Sequence, residues 1–142
     1  MLFLAADHAG FELKEFIRHK LATRNVAFED VGTFSPNKED SYVPFAHKVA
    51  KGVTKTKGRG ILVCGSGVGM SIAANRHSGI RAALCWNTEV AHRAREEDDA
   101  NILVLPSRLI EADQAWEIIS TFLSTTFSHE ERYKRRIGQI DK

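Results

Sequence analysis

Short apolar runs alternate with helical patterns along most of this chain, and this alternation constrains its fold more than any other feature. The runs at residues 2–6, 61–64 and 102–105 contain no charged residue, which is typical of strands buried on both faces. Two further strands are predicted at residues 26–31 and 80–85. Five strands separated by helical segments predict an α/β fold in which helices cover both faces of a parallel sheet.

Apolar residues repeat at helical spacing in the segments between those strands. Gly58 and Gly60 are expected to end the second helix, and a basic segment at residues 130–137 ends the chain. Because no repeat, low-complexity tract or linker interrupts the pattern, we expect residues 1–142 to form a single domain. The predicted helices are marked by Leu13, Phe16, Ile17 and Leu21, by Phe45, Val49 and Val53, by residues 70–75, by residues 88–97, and by Ala112, Ala115, Trp116, Ile119 and Leu123.

The composition argues against several classes of protein. Hydrophobic residues make up 43% and charged residues 27% of the 142 positions, which disfavours a disordered chain, a collagen-like repeat or a coiled coil. A net charge of +2 is too small to imply a nucleic-acid partner, and no apolar run approaches the length of a membrane helix. Cys64 and Cys85 lie in apolar runs, as reduced thiols do. We therefore expect a soluble cytoplasmic protein, and the spacing of its histidines predicts no metal site.

An acid and an imidazole follow the first predicted strand. Sheets of this kind bind ligands beyond the carboxyl ends of their strands, so the residues at those ends are the informative ones. There Asp7 and His8 precede Gly10, and the pair could hold sugar hydroxyls and an anion. Asp7 could equally cap the first helix while His8 lies in solvent, and the dipeptide alone does not separate the two interpretations.

A glycine-rich segment follows the third predicted strand. Residues 64–71 read Cys-Gly-Ser-Gly-Val-Gly-Met-Ser, and the glycines allow the backbone to approach a ligand closely. A helix that begins there would lower the pKa of the Cys64 thiol, which could then act as a base near neutral pH. Met70 occupies the place of the third glycine of a dinucleotide fingerprint, and the P-loop lysine is missing. A tight turn beside a buried thiol is the alternative, but the pattern favours function.

Three charged segments are ambiguous. Arg132 and Arg136 are four residues apart, so they share a helix face and could bind a phosphate monoester, although spacing alone favours a solvated terminal helix. Arg108 follows the fifth strand and could bind an anion or simply form an ion pair. The run at residues 95–99 is by default a solvated face, yet it precedes the fifth strand and could supply a carboxylate to a neighbouring pocket.

Together these segments resemble the family of ribose-5-phosphate isomerase B and galactose-6-phosphate isomerase. The resemblance extends over residues 7–136, and residues 61–75 are its most specific part, supported by residues 79–83 and 99–103. It implies a Rossmann-like three-layer sandwich with a five-stranded parallel sheet. It also implies a homodimer or a tetramer of dimers, with active sites between two subunits, a phosphorylated sugar as substrate and no cofactor.

The resemblance also implies roles for individual residues. Cys64 would move a proton between C1 and C2 of the sugar, and Ser66 would relay a proton to or from the sugar oxygens. Asp7 would contact the sugar, and Met70 fits this branch because another branch of the family has a glutamate base at that position. Backbone N–H groups would hold the enediolate oxygens, namely those of Gly65, Ser66, Gly67, Val68 and Gly69. The phosphate group would be bound by His8, Arg132 and Arg136, and the two arginines would come from the partner subunit. Arg108 would be a further arginine on the substrate side.

The chain departs from the family pattern at two places. Glu97 and Asp98 stand where members usually carry a histidine and an asparagine, and that histidine is assigned to opening the furanose ring. Tyr133 replaces the usual histidine between the two arginines. We favour interconversion of ribose 5-phosphate and ribulose 5-phosphate, with Glu97 or Asp98 opening the ring. The alternatives are an isomerase of an acyclic phosphosugar, such as a tetrose 4-phosphate, and a non-catalytic sugar-phosphate-binding paralogue.

Overall fold

The computed structural model, which describes residues 1–142, contains the predicted five-stranded parallel sheet. The strand order is β2-β1-β3-β5-β4, and every neighbouring pair is parallel. The α/β class and the parallel sheet predicted from the apolar runs are therefore confirmed. The strands are β1 (Leu2–Ala6), β2 (Glu29–Asp30), β3 (Arg59–Cys64), β4 (Ala82–Leu84) and β5 (Ile102–Pro106).

Helices cover both faces of the sheet and create two apolar cores. Helices α1, α4 and α5 pack on one face, where Leu4 and Leu103 of the sheet contact residues such as Phe122. Helices α2 and α3 pack on the other face, around Leu62 and Met70. None of the helices is both long and apolar enough to cross a membrane. The helices are α1 (Phe11–Thr23), α2 (Val43–Thr56), α3 (Val68–Ala74), α4 (Thr88–Glu96), α5 (Ala112–Ser124) and α6 (Glu131–Ile137), with a 3-10 turn at His8–Gly10.

The two outer strands are shorter than their apolar patterns predict. Strand β2 has two residues and β4 has three, and each lies at an edge of the sheet with only one neighbour. Val26 and Phe28 pack against the core without joining the sheet, and Ile80 is buried on the opposite face. The apolar residues of these segments show that the chain is buried there. They do not show which residues of an edge strand form backbone hydrogen bonds with the neighbouring strand.

The expectation that Gly60 helps to end the second helix is wrong. Helix α2 ends at Thr56, and the next residue, Lys57, adopts a left-handed conformation with φ +56°. Gly60 lies inside β3. A Cβ at Gly60 would lie 2.4 Å from Cγ1 of Val49, so the glycine allows α2 to pack closely on the sheet.

The charge run at residues 95–99 is not a solvated face throughout. Arg95 is only 5% exposed. Its guanidinium donates to the carbonyls of Ala100 and Thr125 at 2.6 and 3.2 Å and to Asp99 at 2.9 Å. The default expectation is therefore wrong for Arg95, which joins α4 to the segments before β5 and after α5 through carbonyls that a sequence pattern does not reveal.

Candidate active site

Asp7 and Cys64 lie side by side at the carboxyl edge of the sheet. Ala6 and Val63 are register partners on the parallel strands β1 and β3, so the residues that follow them emerge together. The Cys64 thiol donates to Oδ2 of Asp7 at 3.4 Å, and Oδ1 of Asp7 accepts the Gly10 N–H at 3.0 Å. Asp7 therefore caps the 3-10 turn, as one of the two interpretations of the sequence requires, and also contacts the predicted base.

The environment of Cys64 disfavours its thiolate. The side chain is buried, and this burial raises the pKa of the thiol, with a further increase from the negative charge of Asp7 and the hydrogen bond to it. The N–H groups of Gly67 and Gly65 act in the opposite direction. The expectation that the helix start lowers this pKa is therefore wrong, because burial and Asp7 outweigh the backbone dipoles.

The loop after β3 requires its second glycine. Gly67 has φ +78° and immediately precedes α3, and a Cβ there would lie 2.5 Å from Cδ1 of Leu84. The neighbouring Ser66 is exposed, and its hydroxyl accepts the N–H of Val68 at 3.3 Å. The loop therefore presents a hydroxyl group to solvent beside the buried thiol of Cys64.

Arg108 lies against the same loop. Strand β5 neighbours β3, and beyond it the N–H groups of Ser107 and Arg108 donate to the carbonyls of Cys64 and Gly65 at 2.8 and 3.0 Å. The guanidinium group then packs so closely on Gly65 that a Cβ there would lie 2.9 Å from Nη1. The structure thus brings the predicted Arg108 to the edge that carries Cys64 and Asp7.

Two side chains at this edge were not predicted. The Tyr42 ring packs on Gly69, where a Cβ would lie 2.5 Å from Cζ. Asp40 accepts from Nδ1 of His8 at 2.8 Å and from its N–H at 3.3 Å, while Oδ2 of Asp40 is buried without a hydrogen-bond partner. Both residues come from the loop before α2, whose composition signals only a loop. The third glycine of the glycine-rich segment is the one signal that something packs closely there.

Glu97 and Asp98 lie at the opposite edge of the sheet from Cys64. Cys64 is the register partner of Pro106 at the end of β5, whereas Glu97 and Asp98 precede the start of that strand at Ile102. The five residues of β5 span roughly 16 Å at about 3.3 Å per residue. The structure of one chain therefore does not bring Glu97 or Asp98 to Cys64.

The two carboxylates at that edge differ in their surroundings. Glu97 accepts from Arg93 at 3.1 Å. The pKa of Asp98 is raised, first by desolvation and then by the charge of Glu97, while Arg81 and Arg136 act to lower it. The surroundings of Asp98 thus make its charged form less favourable than in solvent.

Helix α6 carries the two terminal arginines on its solvent-exposed surface. No residue of α6 is buried, and Arg132 and Arg136 lie over the Tyr133 ring at 4.6 and 5.9 Å from its centre. The charge of Arg136 acts on Asp98, which lies at the amino edge of the sheet, whereas His8 lies at the carboxyl edge. The three predicted phosphate ligands are therefore not assembled within one chain.

The surface around Cys64 is open in the single chain. The chain has five concavities, and none of them is lined by Cys64 or Ser66. No group of three or more histidine, cysteine, aspartate or glutamate side chains could hold a metal ion. The chemistry available at the carboxyl edge thus consists of a thiol, a carboxylate, a hydroxyl, a guanidinium and the backbone N–H groups of the glycine-rich loop.

This fold and this edge of the sheet define a class of protein: the chain belongs to the Ribose/Galactose Isomerase family, whose pattern matches residues 2–140. It is similar to the crystal structure of a ribose 5-phosphate isomerase of Thermotoga maritima, with 49% identity, a TM-score of 0.95 and coverage of 99% of this chain and 96% of that one.

Two further relatives extend this similarity. The ribose-5-phosphate isomerase B of Mycoplasma genitalium, whose crystal structure holds ribulose 5-phosphate, is 38% identical with a TM-score of 0.93, covering 98% of this chain and 92% of that one. The ribose-5-phosphate isomerase B of Mycobacterium leprae is 37% identical over 96% of this chain and 85% of its own.

Proposed function

We propose that this protein interconverts ribose 5-phosphate and ribulose 5-phosphate through an enediolate, with Cys64 as the base. The contact between Cys64 Sγ and Asp7 Oδ2, at 3.4 Å beside the glycine-rich loop, carries this proposal. It orients a nucleophilic sulfur next to backbone N–H groups that can stabilise an oxyanion. The relatives named ribose-5-phosphate isomerase B, one of them with ribulose 5-phosphate bound, support the same reaction.

In the proposed reaction the Cys64 thiolate removes the proton from C2 of the open-chain aldose and returns it to C1. The negative charge that develops on the sugar oxygens is stabilised by N–H groups of residues 65–69, and the N–H of Val68 leaves the Ser66 hydroxyl to take part. Ser66, whose hydroxyl is exposed beside the loop, relays a proton between the oxygens on C1 and C2. Arg108, against Gly65, binds on the substrate side.

We propose a homodimer as the functional unit, alone or within a tetramer of dimers. Glu97 and Asp98 lie at one edge of the sheet and Cys64 at the other, so one chain cannot contribute all of them to one site. A second copy with its amino edge beside Cys64 would supply its own Asp98, Arg132 and Arg136. Exposed apolar side chains on α3 and directly after the half-buried edge strand β4 provide a surface for that copy: Val68 at 50%, Ile72 at 61% and Trp86 at 54%.

For ring opening we propose Asp98 of the partner, with Glu97 acting on it. An acid that protonates the ring oxygen must hold its proton near neutral pH, and both burial and the charge of Glu97 raise the pKa of Asp98. Glu97 is instead bound to Arg93. This pair would replace the histidine and asparagine that related sequences carry.

A second candidate substrate is an acyclic phosphosugar such as a tetrose 4-phosphate. It is favoured by the same two carboxylates, because a sugar whose 4-oxygen is esterified has no furanose ring and needs no acid to open one. Turnover of ribose 5-phosphate and of erythrose 4-phosphate by the same preparation separates the candidates. Much faster turnover of erythrose 4-phosphate favours the acyclic substrate, and binding of both without turnover indicates a non-catalytic protein.

Cys64→Ala tests the mechanism, with Cys85→Ala as its matched control. Removal of the base should lower ketose formation by about 10²–10⁴-fold. Cys85 is a fully buried thiol whose pKa burial raises to about 12, so its replacement should cost stability and leave turnover intact. Circular dichroism should show both variants folded, and full activity of Cys64→Ala would contradict the proposal.

A further inference from the structure

A polar cavity of about 490 Å³ lies at the amino edge of the sheet, away from Cys64. It is bordered by the end of α2 and by the segments that lead into β3, β4 and β5. Val53 is its one apolar lining residue, and no aromatic side chain lines it. The residues that matter for its chemistry are Thr54, Lys57, Arg59, Ser78, Arg81 and Arg95.

The side chains of this cavity carry an excess of positive charge. Asp99 is the only carboxylate among the lining residues, and it pairs with Arg95 at 2.9 Å and with Arg81 at 3.4 Å. Lys57 has neither an ion pair nor a hydrogen bond within the chain. One carboxylate therefore faces four cationic groups, which leaves a site that attracts anions.

Two of the guanidinium groups stand close to one another in partly dehydrated surroundings. Arg59 donates through Nη1 to the carbonyls of Phe122 and Leu123, and no other bond is made by its guanidinium. Arg59 and Arg95 both lie over the Phe122 ring, at 5.9 and 5.6 Å from its centre. Burial and the charge of Arg95 lower the pKa of Arg59, Asp99 acts to raise it, and the Arg95 side chain is only 6% exposed. A bound anion would offset this repulsion and would accept the N–H groups that remain free.

The chain already places an anionic group at the rim of the cavity. Oδ2 of Asp141, near the end of the chain, accepts the N–H of Gly79 at 2.7 Å, and Gly79 lines the cavity. A second hollow shares Thr54 and Ser78 with the cavity and adds two lysines, Lys51 and Lys55, to the positive surface. The Gly79 N–H thus already binds a carboxylate, and the two lysines extend the positive surface beyond the cavity itself.

We propose that this cavity binds a compact phosphorylated metabolite with at least two negative charges, which displaces Asp141 from Gly79. The volume is within the range of small-molecule sites, and the charged lining with its two hydroxyl groups suits phosphate oxygens. The lack of an aromatic side chain argues against a nucleobase as part of the ligand. The cavity is lined by none of Cys64, Asp98, Arg132 and Arg136, and the proposal does not depend on the proposed reaction.

Calorimetric titration of the full-length protein with pyrophosphate tests this proposal. Lys57→Gln removes a positive charge that has no partner in the chain and should weaken pyrophosphate binding about fivefold. Lys57→Glu replaces that charge with a negative one and should weaken binding further. Neither change breaks a contact within the chain. Lys48→Gln, which replaces an exposed lysine of α2 outside the cavity, should leave the affinity unchanged. Asp141→Asn should tighten binding, because it removes the competing carboxylate.

Three results would overturn the proposal. The first is equal affinity in wild-type protein and in both Lys57 variants. The second is loss of pyrophosphate binding in Arg136→Gln with no change in Lys57→Glu, which would assign the anion to the proposed active site. The third is tighter binding of a single-stranded oligonucleotide than of pyrophosphate through the same lysine, which would indicate a nucleic-acid surface.

Discussion

Asp7 makes the deprotonation of the Cys64 thiol less favourable, although the proposed reaction requires the thiolate. The carboxylate accepts the thiol proton in a hydrogen bond and so orients the sulfur, but its negative charge and the burial of the thiol raise the pKa of Cys64. At neutral pH little thiolate is therefore present before substrate binds. Turnover should rise with pH as the thiolate population grows.

Asp7→Asn should lower the pKa of Cys64, because it removes the negative charge and places an amide donor beside the sulfur. The measurement is the pH dependence of iodoacetamide alkylation in a Cys85→Ala background, where Cys64 is the single thiol. The midpoint should move to lower pH. Asparagine keeps an oxygen that can accept the Gly10 N–H, so the fold should survive. A midpoint that stays in place would show that burial alone controls this thiol.

Glu97→Gln should change how the turnover of ribose 5-phosphate depends on pH, because it changes the pKa of Asp98. The acid works in its protonated form, so activity is present below its pKa and is lost as the pH rises through it. The negative charge of Glu97 raises the pKa of Asp98, and its removal should move this loss to lower pH. Turnover of erythrose 4-phosphate, which needs no ring opening, should keep its profile. An identical shift with both sugars would exclude Asp98 as the ring-opening acid.

Glu97→His tests whether the missing histidine limits turnover of the cyclic sugar. The variant introduces the histidine that the resemblance to the family implies at this position, and Arg93, which donates to Glu97, still has Glu89 at 2.8 Å as a partner. Faster conversion of ribose 5-phosphate with unchanged conversion of erythrose 4-phosphate is the expected result if ring opening is slow. Absence of any gain would show that the missing histidine does not limit this turnover.

At the level of helices and strands, sequence reasoning succeeded where burial determines the pattern. Strands β1, β3 and β5 are buried on both faces, so their apolar runs located them, while the edge strands β2 and β4 were overestimated. The rule that such sheets bind ligands beyond the carboxyl ends of their strands directed attention to Asp7, Cys64 and Arg108, and the structure places all three at one edge of the sheet. Contacts between segments that are distant in the sequence could not be predicted from local patterns. Examples are the hydrogen bond from His8 to Asp40 and the basic cavity, whose lining residues are spread over residues 53–101.

The connection from β3 to α3 can be tested by adding one methyl group. Gly67→Ala must adopt φ +78° and would meet Leu84 at 2.5 Å, so we expect a loss of about 1–3 kcal/mol in unfolding free energy and a lower kcat. Gly138→Ala is the matched control, because its φ of −62° suits alanine and its nearest neighbours lie at 3.4 Å. Urea unfolding and turnover should both separate the variants, and equal behaviour would contradict a strained loop.

At the level of the whole molecule, the parallel sheet divides the proposed machinery between its two edges. The thiol, its aspartate and the glycine-rich loop lie at the carboxyl edge, and Asp98 with Arg136 lies at the amino edge, beyond the full length of β5. No rotation of side chains covers this span. The proposed homodimer with two-fold symmetry would solve the problem, because its single interface would bring the amino edge of each copy to the carboxyl edge of the other.

Mixing two inactive variants tests this arrangement directly. In a heterodimer of Cys64→Ala and Asp98→Asn, one site carries both substitutions, while the other combines the intact Cys64 of one chain with the intact Asp98 of its partner. Unfolding and refolding the two variants together at equal concentration gives half heterodimers by random pairing, so turnover of ribose 5-phosphate should recover to about a quarter of the wild-type value. Cys64→Ala refolded with Cys64→Ala/Asp98→Asn is the control and should stay inactive. Continued inactivity of the first mixture, with heterodimers present, would place both residues in the same subunit's site.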